Sequence, residues 1–518
     1  MKKIIFFIIA YCMLNTIALA SSNVFNKQNY LKESYHVSAT SNYDAMDVYG
    51  ILSFFMQYTE GDQKWNYELA GLTWEEMSKA IKGNPEIIFA KLSDQLIWKE
   101  IDNTRVLVKL ILIRKGYFGI FEGKYFKNME ELDCYANNLT SIDVSENYNL
   151  KYFDCYSNQL TNLDVSKNVK LDHLYCDENK LSHLDVSKNL DLKILYFGDN
   201  QLTSIELPEN GNLEYLNGAN NQLTELNLKN NLKLKKLYCN NNKIVKLQLS
   251  ALNNLISLDC SNNNLTALDI FQNTKLVTLN CSYNKLVQLE ISEGTNLNAL
   301  NCSYNKLTQL NVSKNANLKS LYCYYNELSA LDLSNNINLL ELNCSYNQIN
   351  GLDVSKNANL TNLSCYSNQL SSLTVSKIHK LYHVYAYENQ LKFSTLQGDF
   401  RIIETLDLVP QATLQGGSKG YFELLDLSSE YLINGKITTY TWLDKATKKE
   451  VYMYASKGKF YASTENAGKT LICQMKNELF PNFILLYEVT IANTKTLSDK
   501  NVEGTIPEGF QRVGKKEI

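Results

Sequence analysis

The sequence predicts an α/β repeat solenoid built on a parallel β-sheet, with a small helical N-terminal cap and an all-β C-terminal sandwich. Three observations carry this. From Leu132 to Leu391 the text repeats every 21 residues without insertion or deletion: residues 300–318 read LNCSYNKLTQLNVSKNANL and residues 279–297 read LNCSYNKLVQLEISEGTNL. Upstream, apolar residues recur at helical spacing between Tyr43 and Tyr58. From about Thr405 the text changes to short apolar–polar alternations, as in Ile437 to Trp442 and Leu471 to Met475, separated by Gly- and Asn-containing turns.

The first 20 residues read as a signal peptide: Lys2 and Lys3, then an apolar run, then Ala18-Leu19-Ala20 as a cleavage site. Cys12 lies inside that run behind bulky Tyr11, which argues against a lipoprotein signal. No later stretch reaches the length of a membrane span, so no span is expected in the mature chain. The expected location is secreted or at the cell surface, with the periplasm also open. A net charge of −3 in 518 residues is not the basic footprint of a nucleic-acid binder. Five histidines weaken any acid–base or metal chemistry, and no nucleophile triad, phosphate loop or metal spacing occurs, so no enzyme, cofactor or metal site is expected.

Residues 21–107 form the expected cap. Met46, Leu52, Phe55 and Met56 are candidates for the buried face of its first helix. Thr73-Trp-Glu-Glu76 fits a capping box opening a second helix from about Trp74 to Ile81. A solenoid end needs such a cover. Stepping the repeat back by 21 places Ile111, Ile113, Phe118 and Phe121 at core positions, so residues 108–128 read as a degenerate first repeat. The repeat domain then spans residues 108–398, the sandwich 401–496, and a polar, mobile tail 497–518.

In register the repeat is L-x-C-x-x-N-x-L-x-x-L-x-V-x-x-x-x-x-L. L-x-C is a short strand with Leu and Cys inward and the residue between them outward. The third position after Cys is Asn from Asn137 to Asn389, where an amide can satisfy the donors and acceptors of a buried turn. The final Leu, from Leu150 to Leu381, fills the far side of the core. A return leg this short suits extended chain or 3₁₀ turns rather than full helices. This pattern resembles leucine-rich repeats, and its Cys form is similar to the internalin J-type repeats of bacterial surface proteins. The resemblance implies a right-handed arc whose concave face carries the parallel sheet and binds partners. The C-terminal segment resembles the immunoglobulin-like modules of such proteins, through residues 427–431, Thr438 to Trp442 and Cys473 to Asn477.

Ten of the twelve cysteines lie on the repeat period, from Cys134 to Cys365. Ladder thiols on parallel strands point the same way, which does not suit a disulfide dihedral, so they are read as small buried hydrophobes. Phe197 and Gly218 replace Cys on adjacent rungs, and the Phe197 ring is expected to fill the space left at Gly218.

Outward strand positions gather two tyrosine patches. The first holds Tyr135, Tyr152, Tyr156, Tyr175, Tyr196, Tyr215 and Tyr238. The second holds Tyr322, Tyr324, Tyr366, Tyr385 and Tyr387. Tyrosine tolerates strands well, but clustering around a small, polar centre favours a binding role, since Tyr gives large contact area at low entropy cost. Tyr283, Tyr304, Tyr325 and Tyr346, each before a ladder Asn, read instead as structural stacking. The same strand face carries Glu131, Asp133, Asp154, Asp177, Asp259 and Glu341 against Lys236, whereas the return legs carry lysines. The expected function is non-enzymatic binding of a protein partner, with adhesion or host interaction within that scope; a glycan-binding module and a structural spacer are the alternatives. Nucleic acid is not an expected partner.

Overall fold

The fold is that of a computed structural model, which describes residues 42–59, 64–209, 211–291, 296–493 and 506–514. The signal peptide lies outside the described residues. The chain divides into two compact units, residues 1–265 and 266–518. Among the described residues no helix is long and apolar enough to cross a membrane.

In the first unit, Asp44 caps the helix Ala45–Phe55 by accepting the Met46 and Asp47 N–H groups. Leu52, Phe55 and Met56 are buried as expected, but Met46 is 48% exposed. The buried face is instead set by Asp47, Val48, Ile51 and Phe54. Asp47 faces inward because its carboxylate accepts the Leu107 N–H at 2.7 Å. The Thr73 capping box and the helix Trp74–Ile81 form as the sequence indicates. An antiparallel hairpin, Leu96–Ile101 with Thr104–Ile111, follows the helices, largely inside the region expected to be a helical cap.

The parallel ladder starts one residue away from the expected register. Leu110 pairs with Leu132, and Leu112 occupies the place of Cys134 in the next repeat. Leu110, Leu112, Tyr117 and Phe121 are therefore the buried set, not Ile111, Ile113 and Phe118. A single-residue slip moves every side chain to the other face. An irregularity between Gly119 and Ile120 restores the phase, so Phe121 meets Ile142 as expected.

From there the three-residue strands Glu131–Asp133, Tyr152–Asp154, His173–Tyr175, Ile194–Tyr196, Tyr215–Asn217, Lys236–Tyr238 and Ser257–Asp259 pair in parallel, each 21 residues after the last. The middle residue of each is buried. Between strands the chain returns through tight turns, such as Asn147 N–H to Val144 C=O at 3.0 Å and Leu150 N–H to Asn147 C=O at 3.1 Å, with no helix among the described return legs.

Two asparagine columns lock successive turns. Asn158 accepts the Leu139 N–H of the preceding turn at 2.9 Å and donates to the Cys134 and Cys155 carbonyls at 2.9 and 3.2 Å. The second column sits in the V-S-K-N segments, where exposed lysines mask it in the sequence. Asn168 donates to the Val144 and Asn147 carbonyls, both at 2.9 Å, and Asn189 repeats this on Val165 and Asn168. The thiols of Cys134, Cys155 and Cys176 donate weakly to the carbonyl of the next strand at 3.3–3.4 Å. All cysteines among the described residues are free and buried. At Gly218 an added Cβ would lie 2.7 Å from Phe197 Cε2, so the ring does occupy the space that Cys would have taken.

In the second unit, strands Thr278–Asn280, Ala299–Asn301, Ser320–Tyr322, Glu341–Asn343, Asn362–Ser364 and His383–Tyr385 pair in parallel with one another at the same 21-residue step. The ladder also runs past the expected boundary at 398, because Thr405–Asp407 pairs in parallel with His383–Tyr385. Gln411 stands in for the ladder Asn there: its Oε1 accepts the Leu391 N–H at 3.0 Å and its Nε2 donates to the Ala386 carbonyl at 2.8 Å. Beyond it lie two four-stranded sheets. One contains Leu414–Gly420, Ile484–Ala492, Thr470–Lys476 and Thr439–Asp444. The other contains Leu424–Asp426, Lys459–Ala462, Met453–Ser456 and Gln511–Val513. Trp442 is buried, pairs in register with Cys473 and meets Phe460 of the other sheet at 5.3 Å. Part of the tail expected to be mobile is thus a strand, held through pairing of Met453 with Val513.

Candidate interaction surface

The strand pleat turns the residues on either side of each buried Leu to the same outer face. In the first unit this brings Tyr152, Tyr175 and Tyr196 together. Tyr152 and Tyr175 lie 5.7 Å apart, and Tyr175 meets Tyr196 edge-on at 5.3 Å. His173 adds a ring 5.9 Å from Tyr152 and bonds Asp172 through Nδ1 at 2.6 Å. Tyr135 and Tyr156 form a neighbouring pair at 6.4 Å, and the Tyr156 hydroxyl donates to Glu178 at 2.7 Å. Tyr135 lies beneath Arg114 at 5.2 Å, and Tyr215 beneath Lys236 at 5.6 Å. Tyr215 and Tyr238 both stand close enough to Tyr196 to raise its phenol, although burial is the larger cause.

Three carboxylates lie beside these rings. Asp133 and Asp154 are partners on adjacent strands, and Asp177 follows one turn on. Burial is the main cause that pushes Asp154 up to about 6 and Asp177 up to about 7; it also raises Asp133. Their mutual repulsion adds to the rise of Asp154 and Asp177. Asp177 is 7% exposed and accepts the Gly198 N–H at 3.1 Å, while Asp154 accepts the Tyr156 N–H at 3.0 Å. The Oδ1 of Asp133 is buried without a hydrogen-bond partner.

In the second unit the tyrosines split. Tyr324, Tyr366 and Tyr387 join the column read as structural. Tyr283, Tyr304, Tyr325 and Tyr346 stack face to face at 4.0, 4.4 and 4.0 Å. Tyr324 meets Tyr304 edge-on at 5.3 Å, Tyr366 meets Tyr346 at 5.3 Å, and Tyr387 stacks on Tyr366 at 4.4 Å. Tyr322 instead bonds Glu341 through its hydroxyl, and Tyr385 lies 6.5 Å from His383. The stack is not wholly interior: Tyr283 is 48% exposed, so residues set aside as structural belong to the same aromatic surface. The signal was available in the spacing, since the residue after Cys and the residue before the ladder Asn are separated by a single bond of the same turn.

Among the described residues no group of three or more His, Cys, Asp or Glu is placed to hold a metal ion. Asp143, Asp164 and Asp185 each accept the N–H of the serine two residues on, at 2.8–2.9 Å, as turn residues do.

No protein-family model and no curated protein matches the chain. Among solved structures, it is similar to the functional domain of InlJ from Listeria monocytogenes, a domain that includes a cysteine ladder. Identity is 29%, the match covers 71% of this chain and 86% of that one, and the TM-score is 0.58. PEPR1, solved with AtPEP1, shares the fold at 21% identity and a TM-score of 0.53, over 62% of this chain and 51% of that one. With its short parallel strands, buried thiols and asparagine columns, the chain is a run of about fourteen leucine-rich-repeat turns with a cysteine ladder and few helices, similar in fold to internalin J.

Proposed function

We propose that this is a non-enzymatic protein-binding scaffold, exported from the cytoplasm, that engages a protein partner through the outer, concave face of its strand ladder. The observation that carries this reading is the cluster of Tyr152, Tyr175 and Tyr196 beside carboxylates on strands pinned by buried amides. Rigid, half-buried aromatics lose little entropy on binding, and their hydroxyls orient a partner. Tyr324, Tyr366 and Tyr387 form a second contact region. The stacking of the second-unit rings favours protein over glycan, because their faces are covered by one another and present edges rather than platforms.

The N-terminal helices serve in this reading as a cap over the first turn, and the two C-terminal sheets as an immunoglobulin-like brace. Residues 1–20 direct export. The test uses two triple variants, Tyr152→Ser/Tyr175→Ser/Tyr196→Ser and Tyr324→Ser/Tyr366→Ser/Tyr387→Ser. Loss of binding to cell-surface and matrix proteins in either one supports the reading. Unchanged binding in both leaves a spacer, and retention on a glycan array without protein binding leaves the sugar-binding alternative.

A further inference from the structure

The chain itself places cations on tyrosines at both borders of the first patch. Arg114 covers Tyr135 and Lys236 covers Tyr215. Between them, Tyr152, Tyr175 and Tyr196 have no cation over their rings among the described residues, yet these are the rings that neighbour Asp133, Asp154 and Asp177. A cationic group entering here would meet ring faces and carboxylates together, the two groups that attract an ammonium or guanidinium most strongly.

Other cations do not already neutralise Asp154 and Asp177 among the described residues. Lys109 is bonded to Glu131 at 2.5 Å and its charge also reaches Asp133, but no cation acts on Asp154 or Asp177 among the described residues, and Lys193 and His173 both lie against Asp172. Asp199 adds negative charge beside Asp177. The thiols behind the sheet, Cys134, Cys155 and Cys176, are held protonated by burial. Carboxylates held this far out of water gain more from an incoming cation than exposed ones do, since part of their desolvation cost is already met in the free protein.

We infer that the Tyr152–Tyr175–Tyr196 face is a recognition site for arginine or lysine side chains of a basic protein segment, with Asp133, Asp154 and Asp177 as its counter-charges. This rests on the reading that the strand face docks a protein. The cation draws the carboxylates back to their charged form, so the complex holds fewer protons than the free chain and affinity falls as pH drops through about 7 to 6.

The experiment uses the full chain and a fluorescent peptide bearing four arginines, beside the same peptide with citrulline at those positions. Citrulline keeps the shape and removes the charge. At about pH 8 the arginine peptide should bind about tenfold tighter or more, and the preference should shrink severalfold by about pH 5. Asp154→Asn/Asp177→Asn should reduce it to about twofold at most, with an unchanged circular-dichroism spectrum and melting midpoint no lower than the parent. Equal binding of the two peptides, or a preference that survives in the Asn variant, overturns the inference. The tyrosine triple variant separates the two levels. If it loses binding to partner proteins while the Asn variant does not, docking on this face stands and cation recognition falls. If neither variant changes anything, both fall.

Discussion

Phe197 and Gly218 show how one residue's volume is tied to its neighbour's on the adjacent rung. Because an added Cβ at Gly218 would press on the Phe197 ring, Gly218→Ala alone should destabilise the first unit by about 1–3 kcal/mol. Phe197→Cys/Gly218→Cys restores the regular ladder, and its loss should be smaller than that of Gly218→Ala; a double-mutant cycle in urea measures the coupling. A larger loss for the double variant would mean that the pair does not trade volume. Asp177 gives a second residue-scale prediction. Its native pKa of about 7 lies above the ordinary carboxylate value of 3.8, as does that of Asp47. The native chain therefore keeps protons that the unfolded chain has released, and stability falls as pH rises between about 4 and 7. Serine-capped carboxylates such as Asp143 and Asp164 are shifted down and matter only in more acid solution. The urea midpoint should thus be higher at about pH 5 than at about pH 8, and Asp177→Asn should remove part of that difference. A midpoint that rises with pH across this window would contradict the assignment.

At the scale of the element, each turn depends on amides that reach into the turn before it. Asn158→Ala would strand the Leu139 N–H and the Cys134 carbonyl and should cost about 2–4 kcal/mol. Asn149→Ala, which loses only an exposed contact with Lys170, should stay within about 0.5 kcal/mol. Chemical denaturation of both variants tests the difference. This first amide column was legible because Asn recurs where a buried turn needs both donor and acceptor. The second was hidden by the lysines beside it, since an exposed charge and a buried amide alternate within the same four residues. The residue before each ladder Asn shows the limits of a pattern reading more sharply. From Ala136 to Glu388 it takes a left-handed conformation in every turn, with φ of 49–56°. Ala, Ser, Glu, Asp, Asn and Tyr all occupy it, so nothing in the residue types betrayed the shared backbone. In the first unit this column carries Asn241 and Asn262 bonded amide to amide at 2.7 Å; in the second it carries the tyrosine stack. The one-residue slip at Leu110 was illegible for a related reason: Leu110 and Ile111, and Leu112 and Ile113, are equally apolar, and only strand pairing decides which pair faces in.

Over the whole molecule, the described cysteines are buried free thiols, and burial suppresses the ionisation of ladder thiols such as Cys155 and Cys323, with Cys302 and Cys344 pushed up to about 12. The native chain should therefore react only slowly with iodoacetamide at about pH 8, become fully reactive on unfolding, and melt at the same temperature with or without reductant. A reductant-dependent melting point would show that the thiols pair after all. The sequence disclosed the repeat region almost completely, because one period imposes itself on strand, core and turn together. It disclosed the ends less well. There the period changes to 22, as at Leu110 to Leu132 and Asn389 to Gln411, and a different residue type does the same work.

The amide columns also constrain how such a chain can change over generations. Between the two ends, each ladder Asn grips backbone groups a fixed number of residues away, as Asn158 and Asn179 do, so a single inserted or deleted codon there would misalign two columns and the strand face at once. Gain or loss of one whole repeat leaves every grip intact. The array is therefore expected to lengthen or shorten among its descendants by unequal crossing-over, in steps of one turn, each step moving the aromatic patches along the face without altering the chemistry of the turns between them.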